Sequence, residues 1–103
     1  MEKTDFGVRI KVLRNERELT MDMLVEDIRL RYSANINKGL LSRWERQEVE
    51  PTLAYAKIMA DYFGVSLDYL IGLTDVRTPS RLLAKPGHRQ VQAQIRKKED
   101  NAG

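Results

Sequence analysis

The sequence predicts an all-α fold of five short helices, and three observations support this. Apolar residues recur at three- and four-residue intervals in successive segments, as they do on the buried face of an amphipathic helix. Four of these segments directly follow a side chain that commonly caps a helix N-terminus: Thr20, Asn37, Thr52 and Ser66. The chain has no alternating β-branched run and no Asn-Gly turn that would indicate strands. Its 103 residues suffice for one modest core.

The first two helices are predicted from short apolar stripes. The first helix carries its stripe at positions i, i+4 and i+7: Phe6, Ile10 and Leu13. The second helix begins after the predicted N-cap Thr20 and buries three side chains: Leu24, Val25 and Ile28. A polar and basic segment, Arg29–Ala34, follows it.

The third helix is predicted to begin after the N-cap Asn37 and to run from Lys38 to about Arg46. Ile36 precedes the cap and is expected to act as a hydrophobic staple, packing against the first turns of the helix. Two apolar residues, three positions apart, form the predicted buried side: Leu41 and Trp44.

The last two helices are predicted over Leu53–Phe63 and Leu67–Ile71, with Thr52 and Ser66 as their N-caps. Gly64 is expected in left-handed geometry after the fourth helix, and a glycine also ends the fifth. The fourth helix has a predicted stripe of five buried residues: Leu53, Ala56, Met59, Ala60 and Phe63.

Composition excludes several classes of protein. The longest apolar run, YLIGL at 69–73, is far too short to cross a bilayer, and the acidic, polar start MEKTDFG does not resemble a secretory signal. The chain has no cysteine, so it has no disulfide and no thiolate nucleophile or metal ligand. These features suit a reducing, cytoplasmic setting.

The net charge of +3 is unevenly distributed along the chain. Residues 1–72 carry eleven Lys and Arg against twelve Asp and Glu, whereas residues 73–103 carry seven against three. The predicted organisation is therefore a folded domain over 1–75 and a basic tail over 76–103. The tail is either a nucleic-acid-binding arm, a dimerisation or partner segment, or a flexible solvated end, with a marginal helix over roughly 89–98.

The second and third helices, joined by a turn, predict a helix-turn-helix unit. In that arrangement the second helix of the pair enters the major groove of DNA, which is about one helix wide. Lys38 and Arg43 lie roughly 140° apart around the helix and flank an arc that includes Gly39 and Ser42. Arg43 is the better base reader because its planar guanidinium can bridge guanine O6 and N7. Arg46, near the end of the helix, is a candidate for the DNA backbone.

From Phe6 to Gly72 the chain resembles the helix-turn-helix domain of the phage repressor and Cro type, also called the xenobiotic-response-element family, which has a lambda-repressor-like fold. The resemblance rests on FGVRIKVLRNERELT and on LLSRWERQEVEPTLAYAKIMADYFGVSLDYLIG. The second stretch is the more specific, since its Ser-Arg-Trp-Glu, Pro, Gly-Val-Ser and Leu-Asp-Tyr-Leu elements occur in order at family spacing. The match covers about two-thirds of the chain.

The resemblance implies roles for particular positions. The family's base-contacting positions fall on four residues: Lys38, Gly39, Ser42 and Arg43. Its phosphate-contacting positions fall on Met21 and Arg46, and its structural ion pair on Arg14 and Glu45. The family's dimer contact around the fifth helix falls on three residues: Tyr69, Ile71 and Leu73.

The chain departs from the family pattern in several places. Gly39 has no side chain to contact a base, Met21 replaces a usual polar residue, and Glu18 stands where a helix-ending glycine is common. Six extra residues, RLRYSA at 29–34, precede the turn, an expansion similar to that in repressors of phages from Gram-positive bacteria. Three side chains of this insertion either reach DNA phosphates or belong to a solvated helix extension: Arg29, Arg31 and Tyr32.

The remaining candidate residues have structural interpretations. Trp44 is predicted in the core, and a single histidine, His88, is expected to be solvated and provides no zinc site. Val8 and Val12 lie on the outer side of the first helix, where they are exposed or receive the tail. Three tyrosines are predicted at the rim or at an interface: Tyr55, Tyr62 and Tyr69.

Together these patterns predict a sequence-specific, double-stranded DNA-binding transcriptional regulator. It is expected to be a phage- or mobile-element-type repressor that binds a palindromic operator as a homodimer, without a cofactor. The alternative is a protein-interaction module, such as an antitoxin or the target of an antirepressor, whose tail binds the partner protein. An enzyme is not predicted, because the sequence has no phosphate-binding glycine loop, no metal cluster and no nucleophile–base–acid set.

Overall fold

The computed structural model describes residues 3–79, and these residues form five helices and no strand. The helices follow one another in the order α1 (Phe6–Glu16), α2 (Met21–Tyr32), α3 (Lys38–Glu45), α4 (Leu53–Phe63) and α5 (Leu67–Ile71). The all-α, five-helix prediction is confirmed. The predicted helix over 89–98, His88 and the rest of the basic tail after residue 79 lie outside the described residues.

Short side chains set the starts of four helices, as predicted. Each cap oxygen accepts the backbone N–H three residues ahead, at 3.1 Å for Thr20, 2.8 Å for Asn37, 3.2 Å for Thr52 and 2.9 Å for Ser66. These bonds satisfy N–H groups that have no partner within the helix. Gly64 ends α4 with φ +68° and Gly72 ends α5 with φ +91°, a backbone region that glycine adopts without a steric penalty.

The core lies where α1 packs on α3 and α5, α2 packs on α3, and α4 packs on α5. Trp44 is almost fully buried near its centre. The Trp44 ring makes edge-to-face contacts with Phe6 and Tyr55, at centroid distances of 5.4 and 5.5 Å. The predicted core residues of α1 and α2 are buried, and so is the staple residue Ile36. Burial of this apolar surface supplies most of the stability of so small a domain.

The predicted burial of four residues needs correction. Leu53 is 75% exposed, because it is the first residue of α4 and lies beyond the edge of the core, and Ala60 is only partly buried. Tyr62 is buried, and its hydroxyl donates to Asp27 at 2.5 Å. Tyr69 is also buried, so neither tyrosine is a rim residue, whereas Tyr55 is partly exposed.

The turn between α1 and α2 contains a residue in an unfavourable backbone conformation. Glu18 has φ +58°, the left-handed region in which a Cβ atom is penalised, while its N–H donates to the carbonyl of Asn15 at 3.0 Å. The position is therefore one that favours the glycine common in the family.

Replacing Glu18 with glycine is expected to raise the free energy of unfolding by about 0.5–1 kcal/mol, since the relief of the left-handed strain exceeds the entropy that glycine adds to the unfolded chain. Thermal unfolding followed by circular dichroism measures this effect. Lys11→Gly, on the exposed side of α1, is the matched control and is expected to lower stability by about 1 kcal/mol. A loss of stability in Glu18→Gly would contradict the strain at this turn.

After α5 the chain turns back along α1. Arg9 donates to the carbonyls of Tyr69 and Thr74, at 3.0 and 2.8 Å, and pairs with Asp75 at 2.9 Å. Further along, Arg77 forms a two-pronged ion pair with Glu16 at 2.8 and 2.9 Å. The predicted boundary at residue 75 falls inside this segment, which connects α5 to the basic tail. No helix of residues 3–79 is both long and apolar enough to span a membrane.

Candidate nucleic-acid interface

The helix-turn-helix unit consists of α2, the connection 33–37 and α3. Ser33 ends α2 with φ +52°, and the chain then runs extended to the N-cap Asn37. Ile36 is 1% exposed, so the connection is attached to the core just before α3 begins. The cap and this buried residue together determine where α3 starts and how the chain approaches it.

Part of the insertion is an extension of α2, since residues 29–32 form its last turn. The Tyr32 hydroxyl donates to Asp61 of α4 at 2.8 Å. Burial, followed by this contact with a carboxylate, raises the pKa of Tyr32 to about 12. The hydrogen bond from the neutral Tyr32 hydroxyl to Asp61 therefore holds the extension of α2 against α4.

The two arginines of the extension differ in their surroundings. The Arg31 guanidinium lies 3.5 Å from Asp27 and 5.2 Å from the centre of the Tyr62 ring, although its side chain is largely exposed. Arg29 is exposed on the outer side of α2. The structure thus shows the helix extension, and a phosphate contact by either side chain stays a prediction.

One side of α3 is buried through three residues: Leu41, Trp44 and Glu45. The Glu45 carboxylate receives two hydrogen bonds from the Arg14 guanidinium of α1, at 2.8 and 2.9 Å, and the Glu45 side chain is only 2% exposed. Arg14 also donates to the carbonyl of Leu19 at 2.8 Å. The hydrogen bond to Glu45 is the main reason that the pKa of Arg14 is raised. Arg14 and Glu45 thus form the predicted pair and hold α3 in a defined orientation on α1.

The opposite side of α3 faces outward. Lys38, Gly39 and Arg43 are exposed, and Ser42 is partly exposed and accepts a hydrogen bond from Arg46. The structure therefore brings all four predicted base-contacting residues to one accessible surface, which we call the α3 face. The major groove of DNA is wide enough to admit an α-helix, so an exposed helix face with cations could fit into it.

The two predicted phosphate-contacting residues differ. Met21 is partly buried and packs against the core, which leaves little of its side chain for DNA. Arg46 is exposed and forms a two-pronged ion pair with Glu48, at 2.8 and 3.0 Å. This hydrogen bonding raises the pKa of Arg46 and lowers the pKa of Glu48.

Three charged residues near the α3 face were missed in the sequence. Asp22, the second residue of α2, has its carboxylate 3.7 Å from the Lys38 ammonium. Glu48 pairs with Arg46, and Lys3 donates to the carbonyl of Gln47 in the loop after α3. The Asp22 and Lys3 contacts join residues far apart in the chain, so no periodicity or spacing signals them. Only the pair of Glu48 with Arg46 could have been detected in the sequence, because these two residues lie two positions apart.

The predicted dimer residues are not equally accessible. Tyr69 is 6% exposed, and its ring lies beneath the Arg9 guanidinium at 4.2 Å and near that of Arg77 at 5.2 Å. The chain itself therefore covers Tyr69, and the prediction that it contacts a partner needs correction. Ile71 is partly exposed and Leu73 is 73% exposed, so these two remain as candidates.

Comparison with known proteins gave two matches. The family model HTH_3, described as helix-turn-helix, matches residues 10–70. The chain is also similar to a protein of Bacillus subtilis (strain 168) named "Uncharacterized HTH-type transcriptional regulator YobD". The two are 35% identical over 71 residues, which make up 69% of this chain and 58% of the relative. The chain thus spans less than two thirds of that relative's length. No solved structure matches the chain.

Proposed function

Because the chain belongs to the helix-turn-helix family HTH_3, we propose that it is a sequence-specific regulator of transcription that binds double-stranded DNA through the α3 face. The observation that carries the proposal is the division of α3 into two sides. Its apolar side and Glu45 are buried, while its polar and cationic side projects from the molecule. The name of the Bacillus subtilis relative is consistent with this function.

The proposed binding mode places α3 in the major groove and the N-terminus of α2 beside the DNA backbone. Arg43 is the base-reading residue, since it is exposed and its guanidinium has no carboxylate within 4.0 Å among residues 3–79. A single domain of this size contacts only a few base pairs, so the proposed state on DNA is a homodimer on a palindromic operator. The proposed role of this homodimer is that of a repressor of the phage type. Ile71 and Leu73 are the proposed contact residues of that dimer.

Selection of binding sites from random duplex DNA, read by sequencing, tests the proposed function. We expect an enriched palindrome whose half-sites are separated by about one helical turn. Enrichment of no sequence, with binding that depends only on salt, would overturn sequence-specific recognition. Enrichment of a single half-site would retain recognition and overturn the homodimer.

Arg43→Ala is expected to weaken discrimination at one base pair of each half-site by about 1–3 kcal/mol, because the guanidinium no longer bridges two acceptors on a guanine. Titrations of the selected duplex and of its single-base variants measure this loss. Lys57→Ala, which removes an exposed cation on α4, is the matched control and should leave the base preference unchanged. An equal loss of affinity for selected and random duplexes in Arg43→Ala would assign Arg43 to the backbone.

A further inference from the structure

Two cations of α3 have carboxylate partners, Lys38 on the α3 face and Arg46 beside it, which is unexpected for a surface that would meet a polyanion. Lys38 lies 3.7 Å from Asp22, and Arg46 is held by both oxygens of Glu48 at 2.8 and 3.0 Å. Both acidic residues are largely exposed, with 75% of the Asp22 side chain and 50% of the Glu48 side chain accessible. They therefore occupy the accessible surface beside α3.

The ion pairs of these two acids contribute little to stability, although Asp22 also interacts favourably with the dipole of α2, in whose first turn it lies. Ion pairs between exposed side chains contribute little to folding, because water and salt screen the charges and the long side chains lose conformational freedom. The chain has a different pair for orienting α3, namely the buried Arg14–Glu45 pair. Because both carboxylates are accessible, Asp22 and Glu48 are also expected to act on a polyanion that approaches the α3 face.

The two carboxylates lie near opposite ends of α3, Asp22 beside Lys38 and Glu48 beside Arg46, where they disfavour the binding of a phosphate. Asp22 stands in the first turn of α2, the helix terminus that presents free N–H groups to a phosphate. Glu48 stands just beyond the C-terminal end of α3, and its pKa is lowered first by the hydrogen bond from Arg46, with smaller contributions from Arg43 and Lys3. Without these two carboxylates, Lys38 and Arg46 would be available to the phosphates of the DNA backbone.

Resting on the proposed function, we infer that Asp22 and Glu48 are residues that limit sequence-independent DNA binding, by occupying Lys38 and Arg46 and by repelling phosphates. A cation that must first leave a carboxylate contributes less to binding than an unpaired one. Fewer counterions are then released from DNA, so the affinity depends less steeply on salt. Base reading by Arg43, which has no such partner among the described residues, is left intact.

The test measures binding of the wild type, Asp22→Asn and Glu48→Gln to a random duplex over a range of salt concentrations. Each substitution is expected to raise the affinity at low salt by roughly threefold to tenfold and to steepen the slope of log affinity against log salt by about one. Asp68→Asn is the control, because it makes the same change in net charge at an exposed residue of α5. It is expected to have a much smaller effect.

A double-mutant cycle separates the effect of the pair from that of charge alone. If Asp22 acts through Lys38, then Asp22→Asn should raise the affinity less in a Lys38→Met background than in the wild type. Circular dichroism of each variant shows whether the fold is retained. The same design applies to Glu48→Gln with Arg46→Met.

The outcomes are distinguishable. Effects of Asp22→Asn and Glu48→Gln no larger than that of Asp68→Asn, in a wild type that binds DNA, would overturn the inference and leave the proposed function standing. A wild type that binds no duplex at low salt would overturn the proposed function, and the inference with it.

Discussion

Gly7→Ala is expected to lower the free energy of unfolding by about 3 kcal/mol, with a fall in melting temperature on the order of 15 °C. Gly7 lies in the first turn of α1, directly against the end of α3. A Cβ atom at this position would overlap the carbonyl oxygen of Trp44 and lie 2.7 Å from its carbonyl carbon. Both obstacles are backbone atoms, so α1 and α3 must move apart and the packing around Trp44 must change. Thermal or denaturant unfolding measures the loss.

Gly39→Ala is the matched control, since it makes the same substitution at the same position of another helix. A Cβ atom there has one neighbour, the Asn37 side-chain oxygen at 3.4 Å, and the residue is exposed. Alanine is the better helix former, so Gly39→Ala is expected to raise stability by about 0.5 kcal/mol. Similar stabilities for the two variants would show that α1 and α3 are not in the close contact described for Gly7.

Glu45→Ala is expected to cost about 3–5 kcal/mol of stability, because it leaves the Arg14 guanidinium buried without its carboxylate. The Arg14 side chain is 11% exposed and that of Glu45 is 2% exposed, so the unpaired charge is left largely out of contact with solvent. Denaturant unfolding at neutral pH measures the change. Binding of DNA by the folded fraction should also weaken, since the pair orients α3.

The two-pronged pair of Glu16 with Arg77 serves as the control. Glu16 and Arg77 have similar distances, 2.8 and 2.9 Å, but both side chains are more than 40% exposed. Glu16→Ala is therefore expected to cost far less stability than Glu45→Ala, because water and salt screen the exposed charges. An apolar replacement of the buried pair, Arg14→Met with Glu45→Leu, should recover most of the loss, because no charge is then left unpaired. Equal costs for Glu45→Ala and Glu16→Ala would contradict the role of burial.

Most of the helical framework was predictable from the sequence because helix ends depend on local interactions. Thr20, Asn37, Thr52 and Ser66 each bond an N–H three residues away, so the signal and its effect lie within one turn. Leu53 shows where this approach fails. Its spacing fits the apolar stripe of α4, but it is the first residue of the helix and is 75% exposed, because burial depends on the packing of other elements and not on spacing alone.

The candidate site was predictable in part. The outward position of Lys38, Gly39, Ser42 and Arg43 follows from helical periodicity once Leu41 and Trp44 face the core. The insertion at 29–34 was predicted with two interpretations open, and the structure shows its first four residues as helix. Tyr69 was misjudged because the two arginines that cover its ring lie on α1 and after α5.

The sequence by itself determined the helix count, the caps that start the helices and the face of α3 that points away from the core. Only the tertiary structure decided which other charges meet: Lys38 with Asp22, Arg9 with Asp75, and Arg77 with Glu16. The Arg14–Glu45 pair was already implied by the family resemblance. The physical reason is the range of the interactions. Periodicity and capping act within about four residues, whereas an ion pair between two helices depends on how those helices pack.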